Sequence, residues 1–312
     1  AEQLEVAHRV GQALWAGADA ELQSFRQRYG AAAAGDVEGM LTRNARRLRK
    51  RGHYQGGSLR YAGEWFVGLD RLAHLEQMLQ RDGLVVDLRP PERPGWEPAA
   101  LVAAARVERE VDLYFSFRSP YSYLAVDRAA RMVRQHGASL RIKPVLPMVA
   151  RGYALPLAKR LYIVRDAARE ARQLGIPFGR LCDPLGVGVE RCMAVFHHAE
   201  LQGQGLAFVS SAARGIWAEA LDMARDDELA LVVRRAGLSW SQARAASSDG
   251  SWRDRAERNR HELRALGLWG VPSFRVGDWA CWGQDRLDRV AERLRQIAPP
   301  SQRLPLQSES SR

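Results

Sequence analysis

At 312 residues, 46% of them apolar, the chain is long enough for two domains and reads as soluble and globular. A net charge of +11 invites a nucleic-acid reading, but only Lys50, Lys143 and Lys159 of the 47 basic residues are lysine. The arginines are spread over every helical stretch without a nucleic-acid motif, so that reading is set aside, although the surplus would help attract a small anionic substrate.

Cys182, Cys192 and Cys281 form no C-x-x-C, and the one histidine cluster, His197-His198, is adjacent in a helical pattern, so neither a disulfide framework nor a metal site is expected. No apolar run is long enough to span a membrane, and no signal peptide opens the sequence, which makes a cytoplasmic location the default. The start at Ala1 rather than Met suggests a segment of a longer chain.

Helical spacing runs through Val6, Val10 and Leu14, then Leu22 and Phe25, and a basic helix covers Leu41 to Lys50 with Gly52 as its stop. Ser58 to Tyr61, a turn at Ala62-Gly63 and Trp65 to Val67 read as a hairpin, followed by a helix from about Asp70 to Leu79. The proline-rich stretch Leu88 to Pro98 cannot be helix or inner strand, so residues 88–110 are expected to be a linker.

A second unit then opens with an apolar strand, Val111 to Phe117, and a helix to about His136. Ser139 to Leu146 follows as a strand, giving a β-α-β unit with parallel strands. Residues 156–266 turn helical, with helices at Pro156 to Leu174, Val189 to Gln204, Leu206 to Leu221, Asp226 to Ala236 and Trp252 to Leu266. Strands return at Ser273 to Val276 and Trp279 to Trp282, a helix runs from about Asp285 to Ile297, and residues 299–312 read as a disordered tail.

The two units share a pattern. Arg43-Asn44 recurs as Arg258-Asn259, Leu48 as Leu263, Gly52 as Gly267, Ser58 as Ser273, and Gly68-x-Asp70-Arg71-Leu72 as Gly283-x-Asp285-Arg286-Leu287, always 215 residues later. Residues 1–87 therefore read as a partial copy, the C-terminal half, of the complete domain at 111–298. Either the chain is truncated or a half-domain packs on the complete one. The first copy has Gly56-Gly57-Ser58 where the second has Val271-Pro272-Ser273, and it lacks a counterpart of Ser119; it reads as a packing or dimerisation module.

Ser119-Pro120-Tyr121-Ser122 sits where the first strand of the second unit hands over to a helix. Such a junction points free N–H groups and the positive end of the helix dipole at whatever binds above it, including a thiolate. Redox proteins carry Cys-x-x-Cys there; here both sulfurs are replaced by hydroxyls, so the site can steady a thiolate but cannot form a disulfide. The lesser alternatives are that Ser119 and Ser122 are plain N-caps and Asp285 a plain helix-start residue.

Phe117-Arg118-Ser119-Pro120-Tyr121-Ser122-Tyr123-Leu124-Ala125, with Gly270-Val271-Pro272-Ser273-Phe274 and Trp282-Gly283-Gln284-Asp285-Arg286-Leu287, resembles the 2-hydroxychromene-2-carboxylate isomerase and kappa-class glutathione transferase family. The resemblance covers about Val111 to Ile297 and implies an α/β, DsbA-like thioredoxin fold with a helical insertion at about 156–266. It implies glutathione as cofactor or co-substrate, with Ser119 catalytic as the hydrogen-bond donor to the sulfur. Val271, before a cis Pro272, would pair with the glutathione backbone, Gln284 and Asp285 would take the γ-glutamyl end, and Lys159 or Arg160 would meet the other carboxylate. The second substrate would be a small hydrophobic electrophile, and the assembly a homodimer or an intramolecular pseudo-dimer. The loop Val149 to Ala154 has no asparagine where the isomerase branch has one. The alternatives are a redox-inactive thioredoxin-like binding or chaperone module and a disulfide oxidoreductase.

Overall fold

The first helices follow the apolar spacing read from the sequence: α1 (Glu2–Ala16), α2 (Asp19–Tyr29) and α3 (Ala34–Lys50). α3 starts ahead of Leu41, at Ala34, where Asp36 complements the dipole in its first turn, although Gly35 and Gly39 are weak helix formers. Gly52, at φ 81°, ends it, with His53 N–H donating to Leu48 O. These helices belong to the first of two compact units, residues 1–56 and 57–312. That division falls inside the expected first copy. The computed structural model describes residues 2–84, 109–152 and 154–297; residues 88–108 of the expected linker and the expected tail lie outside them.

The second unit opens with β1 (Ser58–Tyr61) and β2 (Glu64–Val67), an antiparallel hairpin whose turn residues Ala62 and Gly63 both have positive φ, as a tight two-residue hairpin turn requires. A 3-10 turn at Leu69–Arg71 leads into α4 (Leu72–Arg81). Beyond the undescribed stretch come β3 (Glu110–Phe115), α5 (Pro120–Gln135) and β4 (Ser139–Pro144). Then follow α6 (Leu157–Leu174), α7 (Val187–Leu201), α8 (Gly205–Ala218), α9 (Asp226–Arg235), α10 (Trp240–Ala246) and α11 (Trp252–Ala265). The chain closes on β5 (Ser273–Val276), β6 (Trp279–Trp282) and α12 (Leu287–Gln296).

The four later strands form a sheet ordered β4-β3-β5-β6, with β3 parallel to β4 and the other pairs antiparallel. β3 is interior, and both its faces are covered. Val111, Leu113 and Phe115 join the main core, while Tyr114 packs with Val145 and Leu263 of α11 on the other face. Each such side chain, fully withdrawn from water, contributes roughly 1.5–3 kcal/mol. The helices α6 to α11 stand between the two halves of the sheet in sequence, where the insertion was expected.

β3 ends at Phe115 rather than Phe117. Phe117 instead turns into the core, edge-on to Phe115 at 5.2 Å and to Phe208 of α8 at 6.1 Å, and its carbonyl accepts from Trp217 Nε1 at 3.2 Å. This anchors the segment that delivers Ser119 to the helix. Among the described residues no helix is long and apolar enough to cross a membrane.

Candidate functional site

Ser119 is the N-cap of α5, and Pro120 takes the first helical position, where its missing N–H costs nothing. The Ser119 hydroxyl oxygen accepts from Ser122 N–H at 3.1 Å and donates to Val271 O at 3.4 Å. The first bond is an ordinary cap. The second is longer than a good hydroxyl bond, so the proton is held weakly and can turn to a better acceptor. The two serines are unequal: Ser119 is half-buried, whereas Ser122 is fully buried with its oxygen accepting from Ser116 N–H at 3.4 Å.

Val271 therefore faces Ser119 directly, and the Val271–Pro272 bond is cis. The turn before it is fixed by Ser273 Oγ donating to Gly270 O at 2.8 Å. A Cβ at Gly270 would come within 2.6 Å of the Trp282 indole nitrogen, so any larger residue there must displace that ring. The Trp282 and Trp269 rings lie 5.7 Å apart, each about half exposed, and Lys159 Nζ stands 5.8 Å from the Trp269 ring. Val271 is thus flanked by an aromatic shelf. Trp279 packs against the core instead.

Gln284 and Asp285 lie in a different setting from the one expected. α12 begins at Leu287, not at Asp285, because Gly283 at φ 124° turns the chain first and its N–H donates to Pro272 O at 3.0 Å. Gln284 is tucked inside, 2% exposed, donating to Glu170 Oε2 at 2.6 Å and accepting from Arg128 at 2.6 Å. Asp285 is half-buried, and its Oδ2 accepts from Arg71 Nη1 at 3.1 Å. A side chain at Gly283 would collide with Asp285 Oδ1.

Five residues that sequence reasoning missed build this second cluster. Arg71 places Nε 2.9 Å from both oxygens of Asp166 while reaching Asp285, and Tyr121 donates to Asp166 at 2.7 Å. His74 Nε2 lies 2.5 Å from Glu170 Oε1. Burial by itself raises the Glu170 carboxyl, but the bond from His74, the Arg71 charge and the bond from Gln284 outweigh it and hold the group down at about 2. Burial, and then the Asp166 charge, push the Tyr121 hydroxyl well up. One signal was available: Asp166 and Glu170 are acids four apart on one face of an otherwise basic helix, and the alanines beside them, Ala167 and Ala171, share the buried face.

A cavity of about 1160 Å³ opens beside this cluster, lined among others by Asp70, Tyr123, Arg128, Arg214, Asp285 and Arg286. Ser119 does not line it. The structure thus brings Ser119 and Val271 together with the tryptophan shelf and Lys159, and sets Gln284 and Asp285 in the ion-paired cluster. Among the described residues no group of three or more His, Cys, Asp or Glu could hold a metal ion.

Residues 110–295 match the DSBA-like thioredoxin domain family. Over 185 residues the chain is 28% identical to the 2-hydroxychromene-2-carboxylate isomerase of Pseudomonas putida, spanning 57% of this chain and 90% of that one. It is also 28% identical to the enzyme of that name from Sphingobium xenophagum, over 58% of this chain and 95% of the relative. A solved 2-hydroxychromene-2-carboxylate isomerase superposes with a TM-score of 0.52 at 26% identity, covering 60% of this chain and 95% of its own. The resemblance read from the three motifs is borne out.

Proposed function

The chain belongs to the DSBA-like thioredoxin domain family, and from that premise we propose that it is a glutathione-dependent enzyme, an isomerase or a transferase, in which Ser119 holds the glutathione thiolate. The observation that carries this reading is the weakly held Ser119 proton at the N-terminus of α5. A hydroxyl donor and the positive end of a helix both favour ionised sulfur over the thiol. The similarity to enzymes named as isomerases favours the isomerase over the transferase.

The residues present fit glutathione. Ser119 and the α5 N–H groups would receive the sulfur, and Val271 would pair its backbone with the cysteinyl unit as a neighbouring strand does. Asp285 would take the α-amino group through Oδ1, the oxygen that only a glycine at 283 leaves room for, while Arg71 holds Oδ2. Gln284 would act from behind that carboxylate, and Lys159 would meet the other end of the peptide. When bound, glutathione supplies a thiolate that adds to an electron-poor carbon; an isomerase recovers it unchanged and a transferase consumes it.

Trp269 and Trp282, their rings tilted 37° to each other and each about half exposed, offer an apolar surface next to Val271 for an aromatic or conjugated electrophile. Reduced glutathione places this chemistry in the cytoplasm. The expected partial copy at 1–87 has no counterpart of Ser119; on this reading it supplies no group to the reacting sulfur and bears on the ligand only through Arg71, which holds Asp285. Titration calorimetry with glutathione is the test. Binding at millimolar concentration or tighter is expected, and the absence of any heat of binding in that range would end the enzyme reading.

A further inference from the structure

The hairpin and helix β1-β2-α4 match β5-β6-α12 without insertion or deletion, each element beginning and ending 215 residues before its counterpart. The hydrogen bonds keep the same interval. Gly68 N–H donates to Gly57 O as Gly283 N–H donates to Pro272 O, at 3.1 and 3.0 Å, and Arg71 N–H donates to Gly68 O as Arg286 N–H donates to Gly283 O. Positive φ recurs at Ala62 and Gly277 and at Gly68 and Gly283.

Any two hairpin-helix modules could share lengths. Ion pairs between the modules are more specific. Arg71 reaches Asp285 at 3.1 Å, and Arg286 reaches Asp70 at 2.8 and 2.9 Å. Exchanging each residue for its counterpart turns the first pair into the second. Contacts in which i meets j and j meets i mark a two-fold, self-complementary interface.

The symmetry is broken at one point. The Arg71 side chain is 9% exposed because α6 supplies Asp166 and Glu170 around it, whereas the Arg286 side chain is 39% exposed. Among the described residues the first module has no counterpart of α6 behind Arg286. Arg71 is therefore a guanidinium fork clamped on one side by Asp166 and presenting its remaining nitrogen to Asp285. His74 makes a second tie from the same module, through Glu170 to Gln284.

We propose that residues 57–82 duplicate residues 272–297 and dock on them about an approximate two-fold axis, so that the chain carries in cis an interface two separate copies would form, and that Arg71 is the positioning residue through which this duplicate aims Asp285 at the ligand's amino group. The role of Arg71 rests on the glutathione reading; the docking does not.

Two measurements separate these parts. In calorimetric titrations with glutathione, Arg71→Lys and Asp285→Asn each weaken binding by on the order of tenfold, since lysine cannot bridge two carboxylates as the fork does. The double variant is no weaker than the weaker single. With a glutathione analogue whose α-amino group is replaced by hydrogen, both penalties vanish. Arg71→Lys binding glutathione as the unaltered protein does, or weakening both ligands equally, overturns the positioning role.

The docking is read without ligand. Asp70→Arg and Arg286→Asp each lower the melting temperature, and the exchanged pair D70R/R286D recovers at least half of the summed loss; strictly additive losses overturn the two-fold docking. If the exchanged pair recovers but the unaltered protein binds no glutathione, the duplicate stands, and the glutathione reading falls together with the role of Arg71.

Discussion

Ser119 has two roles that can be separated, because the cap uses the oxygen and the thiolate would use the proton. Ser119→Ala removes both. The Ser122 N–H, which Ser119 satisfies at 3.1 Å, then loses its acceptor. The cost is about 1 kcal/mol, and in a domain of this size it lowers the melting temperature by roughly 2–4 °C. Glycine is a fair N-cap in its own right, so Ser119→Gly costs only a few tenths of a kcal/mol while removing the hydroxyl just as completely. A hydrogen bond to a charged group is worth about 1.5–3 kcal/mol, which raises the pKa of the bound glutathione thiol by about 1–2 units in either variant. The assay is an ultraviolet titration of thiolate absorbance in the complex, set beside thermal melting of the free protein. Alanine and glycine should agree in the titration and differ in the melt. A glycine variant that keeps the thiol pKa of the unaltered complex refutes the Ser119 donor, and one that melts as low as alanine refutes the cap.

The Glu170 carboxyl, held at about 2 in the fold against an ordinary 4.5, stabilises the protein above pH 4.5 and loses that contribution as pH falls from there toward 2. Glu170→Gln should cost roughly 3 kcal/mol near neutrality and almost nothing at pH 2, as read by urea unfolding across pH; a difference that does not change with pH defeats the account. Gly270→Ala drives a methyl into the Trp282 indole, so near-ultraviolet circular dichroism should change and stability should drop by about 1–3 kcal/mol, and an unchanged spectrum argues against the close approach. Burial pushes the Cys281 thiol up to about 12 and the fully buried Cys192 thiol higher still, so a disulfide reagent at pH 8 should label neither in the folded protein and both after unfolding.

The fold was legible where a local rule decides it. Apolar spacing set the helices, Gly52 and Gly175 stopped two of them, and the turn at Ala62-Gly63 announced the hairpin. α10 was missed because its seven residues, three of them alanine, carry no apolar stripe. Ser119 and Val271 were readable as parts of motifs, and the fold brings them together. The Arg71 cluster was not readable, since Arg71 and Asp166 are 95 residues apart and Glu170 and Gln284 are 114 apart, and no periodicity links such positions. Gln284-Asp285 looked like an exposed helix start for the same reason: the turn at Gly283 that buries Gln284 shows only in φ. What sequence did register was the repeat interval, and that interval pairs Arg71 with Arg286 before any contact is known.

The tetrapeptide itself supplies a last prediction. Residues 119 and 122 stand at the N-cap and third helical positions, and the Ser122 N–H bond to Ser119 Oγ shows that the first side chain lies over the second residue. A thiol at 119 would ionise readily there, because helix N–H groups and the dipole favour its thiolate. A thiol at 122 would be buried beneath it, as Ser122 is, and would be slow to meet any outside partner. That is the asymmetry a dithiol catalyst needs: a half-exposed attacking sulfur and a fully shielded one that resolves the mixed disulfide. The unaltered protein, with hydroxyls at both places, should not catalyse insulin reduction by dithiothreitol. The double variant Ser119→Cys, Ser122→Cys should gain that activity and lose the glutathione-dependent one. Insulin reduction by the unaltered protein would return the site to disulfide chemistry, and an oxidised double variant in which both sulfurs stay as free thiols would show that the two side chains do not meet as the cap implies.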